Sequence, residues 1–305
     1  MKLLQVSKSS QGNHCLGTFQ AMAGPCEILV DSCDLKLTEN LTKIAQQEAL
    51  RIQNKFSRYS ASSLCSKINS ANIQSADKTT AIDNETFQLL EFANNCFEIS
   101  AGMFDITSGI LRKAWNFDGS DKIPTEAEIE PLLNNIGWQR VIYDSTKIML
   151  PQGMELDFGG IAKEYAVDKT AELITHYANS AGHKNLSILI NFGGDLFSTG
   201  KKKQGGCWEV GIENSANSKH TTSLSLTKGA LATSGDANRF LLKNGIRYGH
   251  ILNPISGWPI ENTPASVTVA APQCITAGML ATLAILQGKN AQGFLKKQSV
   301  KFWIK

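Results

Sequence analysis

The stretch Met154–Asp168, MELDFGGIAKEYAVD, decides how the rest of the chain is read. An acid, two glycines and a lysine fall within the seven positions Asp157 to Lys163, directly ahead of a segment with helical periodicity. Gly159 and Gly160 leave backbone amides and carbonyls uncovered at a helix start. There the helix dipole and free N–H groups favour a phosphate, and Lys163 adds countercharge. The functional reading is a diphosphate or metal site. The bland reading, and the commoner one for Gly-Gly ahead of a helix, is ordinary strand-to-helix turn chemistry.

Elements on both sides place this stretch. Val141–Tyr143 and Lys147–Leu150 read as a hairpin that feeds into it, and Tyr165–Tyr177 continues from it as a helix. Upstream, Ile28–Val30 reads as a short strand, and the apolar positions 37, 41, 44, 45, 49, 52 and 56 form a helical stripe ending at Arg58-Tyr59. Asp83 is an N-cap for a second helix that ends near Gly102. Thr125 with Glu128 has the spacing of a capping box. Downstream, Ser187–Asn191 is a continuous apolar strand that ends in Gly193-Gly194-Asp195. Ser266–Ala271 is a further strand, followed by a helix from Thr276 to Leu286 closed by Gly288. The class expected is α+β. The weakly periodic tract 201–227, with Lys201, Lys202 and Lys203, is expected as an exposed hairpin or insertion whose lysines form a solvated face.

At 305 residues the chain fits one large domain or two intimately packed lobes. Its apolar content of 42%, charged content of 19% and net charge of +3 are ordinary for a globular protein and give no argument for nucleic acid or an anionic membrane as partner. The seven cysteines show neither a C-x-x-C pair nor scaffold density and read as reduced, mostly packed thiols. Met1–Gly17 carries only Leu3-Leu4 as an apolar pair, so no signal-peptide core or membrane span is expected; the alternatives are a cytoplasmic protein or an exported one whose leader has been removed, and the thiol pattern favours the cytoplasm. A nicotinamide dehydrogenase is disfavoured because no G-x-G-x-x-G follows a strand.

Five further blocks are rich in Gly, Asp, Ser and Thr. They are Phe56–Asn69 (FSRYSASSLCSKIN), Ala101–Leu111 (AGMFDITSGIL), Asn191–Gly200 (NFGGDLFSTG), Ala230–Phe240 (ALATSGDANRF) and Tyr248–Pro259 (YGHILNPISGWP). Together with Met154–Asp168, and in this order and spacing, they resemble the ApbE family of FAD:protein FMN transferases from about Met22 to Gly288. One short motif arises by chance easily; a collinear series does not.

The resemblance implies an ApbE-like α+β fold, with mixed or antiparallel sheets and packed helices, as a single domain over residues 1–305. It also implies an activity: transfer of the FMN half of FAD, the substrate, to a Thr or Ser hydroxyl of an acceptor flavoprotein, with release of AMP. Phosphoryl transfer of this kind needs a cation on the diphosphate, commonly Mg²⁺, an in-line hydroxyl and a group to take its proton. By the same resemblance, Met22, Tyr59, Met103, Phe104, Asp105, Asp157, Lys163 and Ile251 are the candidate FAD-binding residues, with the Tyr59 ring able to stack on the flavin. His250 is the candidate proton acceptor. Gly160 and Thr282 are the candidate metal-binding positions. For each there is a structural alternative: a half-buried loop tyrosine, a core Phe104, a turn-capping Asp105, a satisfied structural His250. His14, His176, His183 and His220 have no motif around them and read as surface residues.

Several positions depart from the family pattern. Ala23-Gly24 follows Met22 where the family has Gly-Thr, Asn253 stands for an aspartate, and Glu164 stands for a glycine. In AGMLAT, residues 277–282, Gly278 occupies the place of an aspartate that binds metal, leaving Thr282 alone. Losing the strongest hard ligand weakens the site unless another acid, such as Asp236 or Asp195, takes its place. Two rival readings therefore stand beside transfer: an FAD-binding protein that transfers nothing, and an FAD pyrophosphatase that uses water as the nucleophile.

Overall fold

A computed structural model describes residues 4–9, 14–74, 78–213, 221–235 and 239–305. Its centre is an eight-stranded sheet built from β1 (Gln5–Lys8), β2 (Cys15–Ala21), β3 (Gly24–Val30), β4 (Ile188–Phe192), β5 (Asp195–Ser198), β6 (Gly229–Gly235), β7 (Ser266–Ala271) and β8 (Lys301–Ile304). Each strand pairs antiparallel with the next in this series, so the sheet is a meander whose long connections carry the helices. The helices are α1 (Leu35–Phe56), α2 (Leu64–Gln74), α3 (Asn84–Ile99), α4 (Glu126–Leu133), α5 (Ala162–Ser180), α6 (Cys274–Leu286) and α7 (Ala291–Lys297). The α+β class expected from the sequence is the class observed.

The helix boundaries follow from local chemistry. Asp34 caps α1 by accepting from Leu37 N at 2.9 Å, and Asp83 caps α3 by accepting from Thr86 N at 3.0 Å. Ala101 and Gly102, both at positive φ, terminate the exit of α3. Thr125 and Glu128 form the capping box of α4. The α1 stripe Leu41, Ala45 and Ile52 packs on Ile28, Ile190 and Phe192 of the sheet, with Ala166 and Ile174 of α5 in the same core. A close approach fixes Gly17: a Cβ there would lie 1.9 Å from Thr42 Oγ1 on α1.

The opposite face of the sheet shows where the sequence reading fails. Residues 201–227 do contain a hairpin, Trp208–Glu213 paired with Thr221–Leu226, but it is not an exposed insertion. Trp208, Val210 and Leu226 are buried against Leu189 and Leu231, so the hairpin covers the second face of the sheet. Ser187 accepts the Trp208 indole N–H at 2.9 Å, and Lys202 lies 4.2 Å over the Trp208 ring. The physical reason was present in β4 itself. Its consecutive apolar residues Ile188, Leu189 and Ile190 require cover on both faces.

His14 also departs from its surface reading, meeting the Trp208 ring edge-on at 5.8 Å; His220 lies outside the described residues. A smaller second core gathers Leu111, Trp115, Ile129 and Leu241, with Trp115 against Trp258 at 5.4 Å. It holds the 248–259 block, since Trp115 Nε1 donates to the Gly257 carbonyl at 2.8 Å. All seven cysteines are free and five are buried; burial raises the Cys26 thiol to about 11 and the Cys65 thiol to about 12. Among the described residues no helix is long and apolar enough to cross a membrane.

Candidate functional site

The Gly-Gly turn lies at the start of α5, as its sequence implies. Asp157 Oδ1 accepts Gly159 N at 2.9 Å, and the Phe158 carbonyl accepts Ile161 N and Ala162 N at 3.0 and 2.8 Å. One residue into the helix, the Lys163 ammonium reaches Asp195 Oδ2 at 2.8 Å. Asp195 opens β5 after Gly193 and Gly194, whose φ values of 61° and 99° make the reverse turn. Asp195 is only 2% exposed, and burial raises its pKa against the opposing pull of Lys163. Burial works against the Lys163 ammonium, but Asp195 and Glu164 outweigh it and hold its pKa above the ordinary value.

Helix α5 is fixed to α6 by Asp168, whose carboxylate accepts Cys274 N at 2.7 Å and Ile275 N at 2.9 Å. It supplies the cap that Gln273, the residue before α6, does not give from its own side chain. One turn earlier on α5, Glu164 faces Gly278. A Cβ added at Gly278 would lie 2.6 Å from Glu164 Cγ and 2.7 Å from its Oε1. Glu164 Oε2 is buried with no hydrogen-bond partner, and its pKa is raised, first by burial and then by the nearby charge of Asp195. One turn beyond Gly278 on α6, Thr282 Oγ1 donates to Ser234 Oγ at 3.1 Å at the end of β6. Asp236, one of the acids considered as a replacement ligand, lies outside the described residues. The other, Asp195, is already neutralised by Lys163.

A second group of candidates gathers around Asp157. Arg58 forms an ion pair with Asp157 Oδ2, donates to the Tyr59 hydroxyl at 2.8 Å, and lies 4.9 Å over the Tyr59 ring. Tyr59 is 80% exposed, an aromatic face held open by a cation beneath it. The Phe104 ring is buried, and a Cβ on the exposed Gly160 would meet it at 3.5 Å. The Asp105 carboxylate is taken up inside the fold by Thr107 N and Oγ1 at 2.7 and 2.6 Å and by Trp138 N at 2.9 Å.

The remaining candidates sit on other walls. Met22 and Ala23 are the centre of the two-residue β2–β3 turn, both at positive φ (53° and 60°), where Asn-Gly is the usual solution. Met22 N donates to Gln53 at 2.6 Å, and the turn lies beside Gly193. Met103 lines a cleft with Asn253, Trp258, Ile260 and Gln287, and Ile251 is half-buried against the core. His250 has Nδ1 3.2 Å from the Arg239 carbonyl and meets Phe117 edge-on at 6.2 Å.

The structure thus links Lys163, Asp195, Gly278, Thr282 and Gly160 through α5 and its neighbours, and Tyr59 with Asp157 through Arg58. Three residues that sequence reasoning left without a role hold these groups together: Arg58, Glu164 and Asp168. Two of them carried a signal: Glu164 as an acid in a glycine's place, and Asp168 as the aspartate that closes the Met154–Asp168 block.

The ApbE family profile matches residues 22–304, and the chain belongs to the ApbE family. A FAD:protein FMN transferase of Treponema pallidum is 29% identical over 272 residues, covering 83% of this chain and 71% of that protein. One from Vibrio cholerae is 28% identical over 232 residues, covering 74% and 67%. Among solved structures, the ApbE protein of Thermotoga maritima superposes with a TM-score of 0.84 at 28% identity, covering 96% of this chain and 94% of that one. The apo flavinyl transferase ApbE of Pseudomonas stutzeri, at 22% identity and a TM-score of 0.80, shares the fold.

Proposed function

We propose that this protein transfers the FMN half of FAD to a Thr or Ser hydroxyl of an acceptor flavoprotein. The observation that carries the reading is the Lys163–Asp195 pair at the head of α5, beside the Gly159-Gly160 turn, in a chain of the ApbE family. The turn and helix start offer backbone dipoles to a diphosphate, and Lys163 offers the charge. The exposed Tyr59 ring takes the flavin face, positioned by Arg58, which Asp157 holds in place. The acceptor oxygen forms its bond to the flavin-side phosphorus, the P–O–P bridge breaks, and the bridging oxygen leaves on AMP. His250 is the residue proposed to take the hydroxyl proton.

A divalent cation, Mg²⁺ by analogy, fits the donors present. Thr282 Oγ1 and a Gly160 carbonyl are hard oxygen ligands, and Mg²⁺ is commonly held by one or two carboxylates together with substrate phosphates. Among the described residues no three His, Cys, Asp or Glu side chains form a cluster that could hold a metal ion. When bound, such an ion neutralises charge on the diphosphate.

Incubation with FAD, Mg²⁺ and a partner protein carrying Asp-Gly-x-Thr tests the reading by intact mass. A gain equal to FMN, with release of AMP, is expected. Release of FMN and AMP without any acceptor would make the protein a pyrophosphatase, and FAD binding with no turnover under varied metals would make it a binder. The cytoplasm is proposed as its location on the cysteine usage, five of the seven thiols being buried and none paired.

A further inference from the structure

We propose that the carboxylate of Glu164, on α5, is the anionic ligand of the divalent cation at the diphosphate, taking over from α6 the role that an aspartate at position 278 fills elsewhere in the family. The inference rests on the transfer reading above. Its basis is a matched pair of changes in one contact. Position 164 gains a carboxylate where the family has glycine, and position 278 loses one.

The geometry shows that these two changes share a single volume. A Cβ at position 278 would lie 2.6 Å from Glu164 Cγ, 2.7 Å from Oε1 and 3.0 Å from Cδ, so the Glu164 side chain occupies the space an aspartate at 278 would need. Both cannot be present without displacement, since non-bonded carbons do not approach that closely. The carboxylate is delivered to the same location from the neighbouring helix. Asp168 sets that register, binding Cys274 N and Ile275 N, so that one turn back along α5 meets one turn on along α6.

The carboxylate is also free to take a cation. Glu164 Oε2 is buried and has no hydrogen-bond partner, an arrangement that costs free energy unless something completes it. Asp195, the other acid at hand, faces the Lys163 ammonium at 2.8 Å and is already compensated. Thr282, the metal position that this chain retains, lies one turn beyond Gly278 on α6. A hard cation held here would take the Glu164 carboxylate beside the Thr282 hydroxyl and Gly160 carbonyl named above, leaving its other positions to phosphate oxygens and water.

The test reads cation binding directly. Mn²⁺ is titrated into the full-length chain saturated with FAD and followed by electron paramagnetic resonance of the free ion, while FAD affinity is measured separately without metal. Glu164→Gln is isosteric and removes a buried charge, so it retains the fold. It is expected to weaken Mn²⁺ binding by about tenfold or more, since even the loss of a group that only supports a metal ligand costs about 10–100-fold, with metal-free FAD affinity unchanged. The double variant Glu164→Gly with Gly278→Asp is expected to recover Mn²⁺ affinity, because the carboxylate returns to α6.

Undiminished Mn²⁺ binding by Glu164→Gln overturns the proposal, as does absence of Mn²⁺ binding by the unaltered chain or a double variant that stays as weak as Glu164→Gln. Failure of the unaltered chain to bind FAD would instead defeat the transfer reading, while Glu164-dependent Mn²⁺ binding in the absence of FAD would still stand.

Discussion

Substituting Gly278 with alanine sets two effects of opposite sign against each other. Alanine is favoured over glycine in a helix interior by roughly 0.5–1 kcal/mol, so an unobstructed Gly278→Ala change in α6 would stabilise. The structure puts an obstacle in the way. The new methyl would sit 2.6 Å from Glu164 Cγ and 2.7 Å from Oε1, well inside contact distance, and Gly278 is itself buried. Overpacking of this kind costs about 1–3 kcal/mol. The net expectation is destabilisation of about 0–2.5 kcal/mol, the difference between those two ranges.

In a Glu164→Gly background the obstacle is gone, and the same alanine should stabilise by up to ~1 kcal/mol. The coupling between positions 164 and 278, read from urea denaturation midpoints of the four proteins, is therefore about 1–3 kcal/mol, large for a pair so readily overlooked in the sequence. If Gly278→Ala stabilises the unaltered chain, or if its effect is equal in the two backgrounds, Glu164 does not fill the space beside Gly278 and the argument built on it fails.

Tyr59→Ala removes an exposed ring proposed to stack on flavin and should weaken FAD binding about tenfold, stacking being worth about 1–3 kcal/mol; Asp157→Ala releases Arg58 from its ion pair and should weaken it similarly. Flavin fluorescence titration checks both, and unchanged affinity in both would sink this part of the site. Trp208→Ala should cost about 3–5 kcal/mol in urea denaturation, as for a buried core aromatic, whereas a loss under ~0.5 kcal/mol, typical of a surface position, would return the 208–226 hairpin to a solvated insertion. Glu85 accepts hydrogen bonds from Arg51 at 2.6 Å, Lys55 at 2.6 Å and the Tyr165 hydroxyl at 2.9 Å. Arg51 foremost holds its pKa at about 2, against an ordinary 4.5. A depressed folded-state value means the contribution is complete above the unfolded pKa and is lost as pH falls toward 2. Glu85→Gln should therefore cost about 1 kcal/mol near neutrality, with the gap from the unaltered protein closing between pH 4.5 and 2; a gap independent of pH would contradict this.

What the sequence disclosed follows from how each signal is encoded. Caps and periodicity are local, so the 37–56 stripe, the Asp83 cap and the Thr125–Glu128 box all correspond to observed helices. The family resemblance likewise rests on short contiguous blocks. Cover on the far side of the sheet was misread because the 208–226 hairpin alternates apolar and polar residues, a pattern equally suited to a solvated hairpin. Only the burial of both faces of β4 decides between them. The two contacts that organise the site, Asp168 with the start of α6 and Glu164 with Gly278, join residues more than a hundred positions apart. No local pattern encodes such a pair. Glu164 and Gly278 each look like an isolated departure until α5 and α6 are placed side by side.

The meander explains why a ligand can pass from one helix to the other without loss of the site. The β2–β3 turn at Met22-Ala23, the β4–β5 turn at Gly193-Gly194 and Ser234 at the end of β6 are fixed by the sheet, whose register is set by backbone hydrogen bonds rather than by the site residues. Helices α5 and α6 share this scaffold, and Asp168 holds one against the other. What the scaffold defines is therefore a point in space between two helices, and either helix can supply a carboxylate there provided the other presents no side chain. A glycine opposite the acid is then a steric requirement rather than a degraded motif. By the same logic an acid at both positions collides, and glycine at both leaves the point between the helices without a carboxylate. A chain of this family with Glu at 164 should carry the smallest residue at 278, whatever the remainder of its α6 sequence.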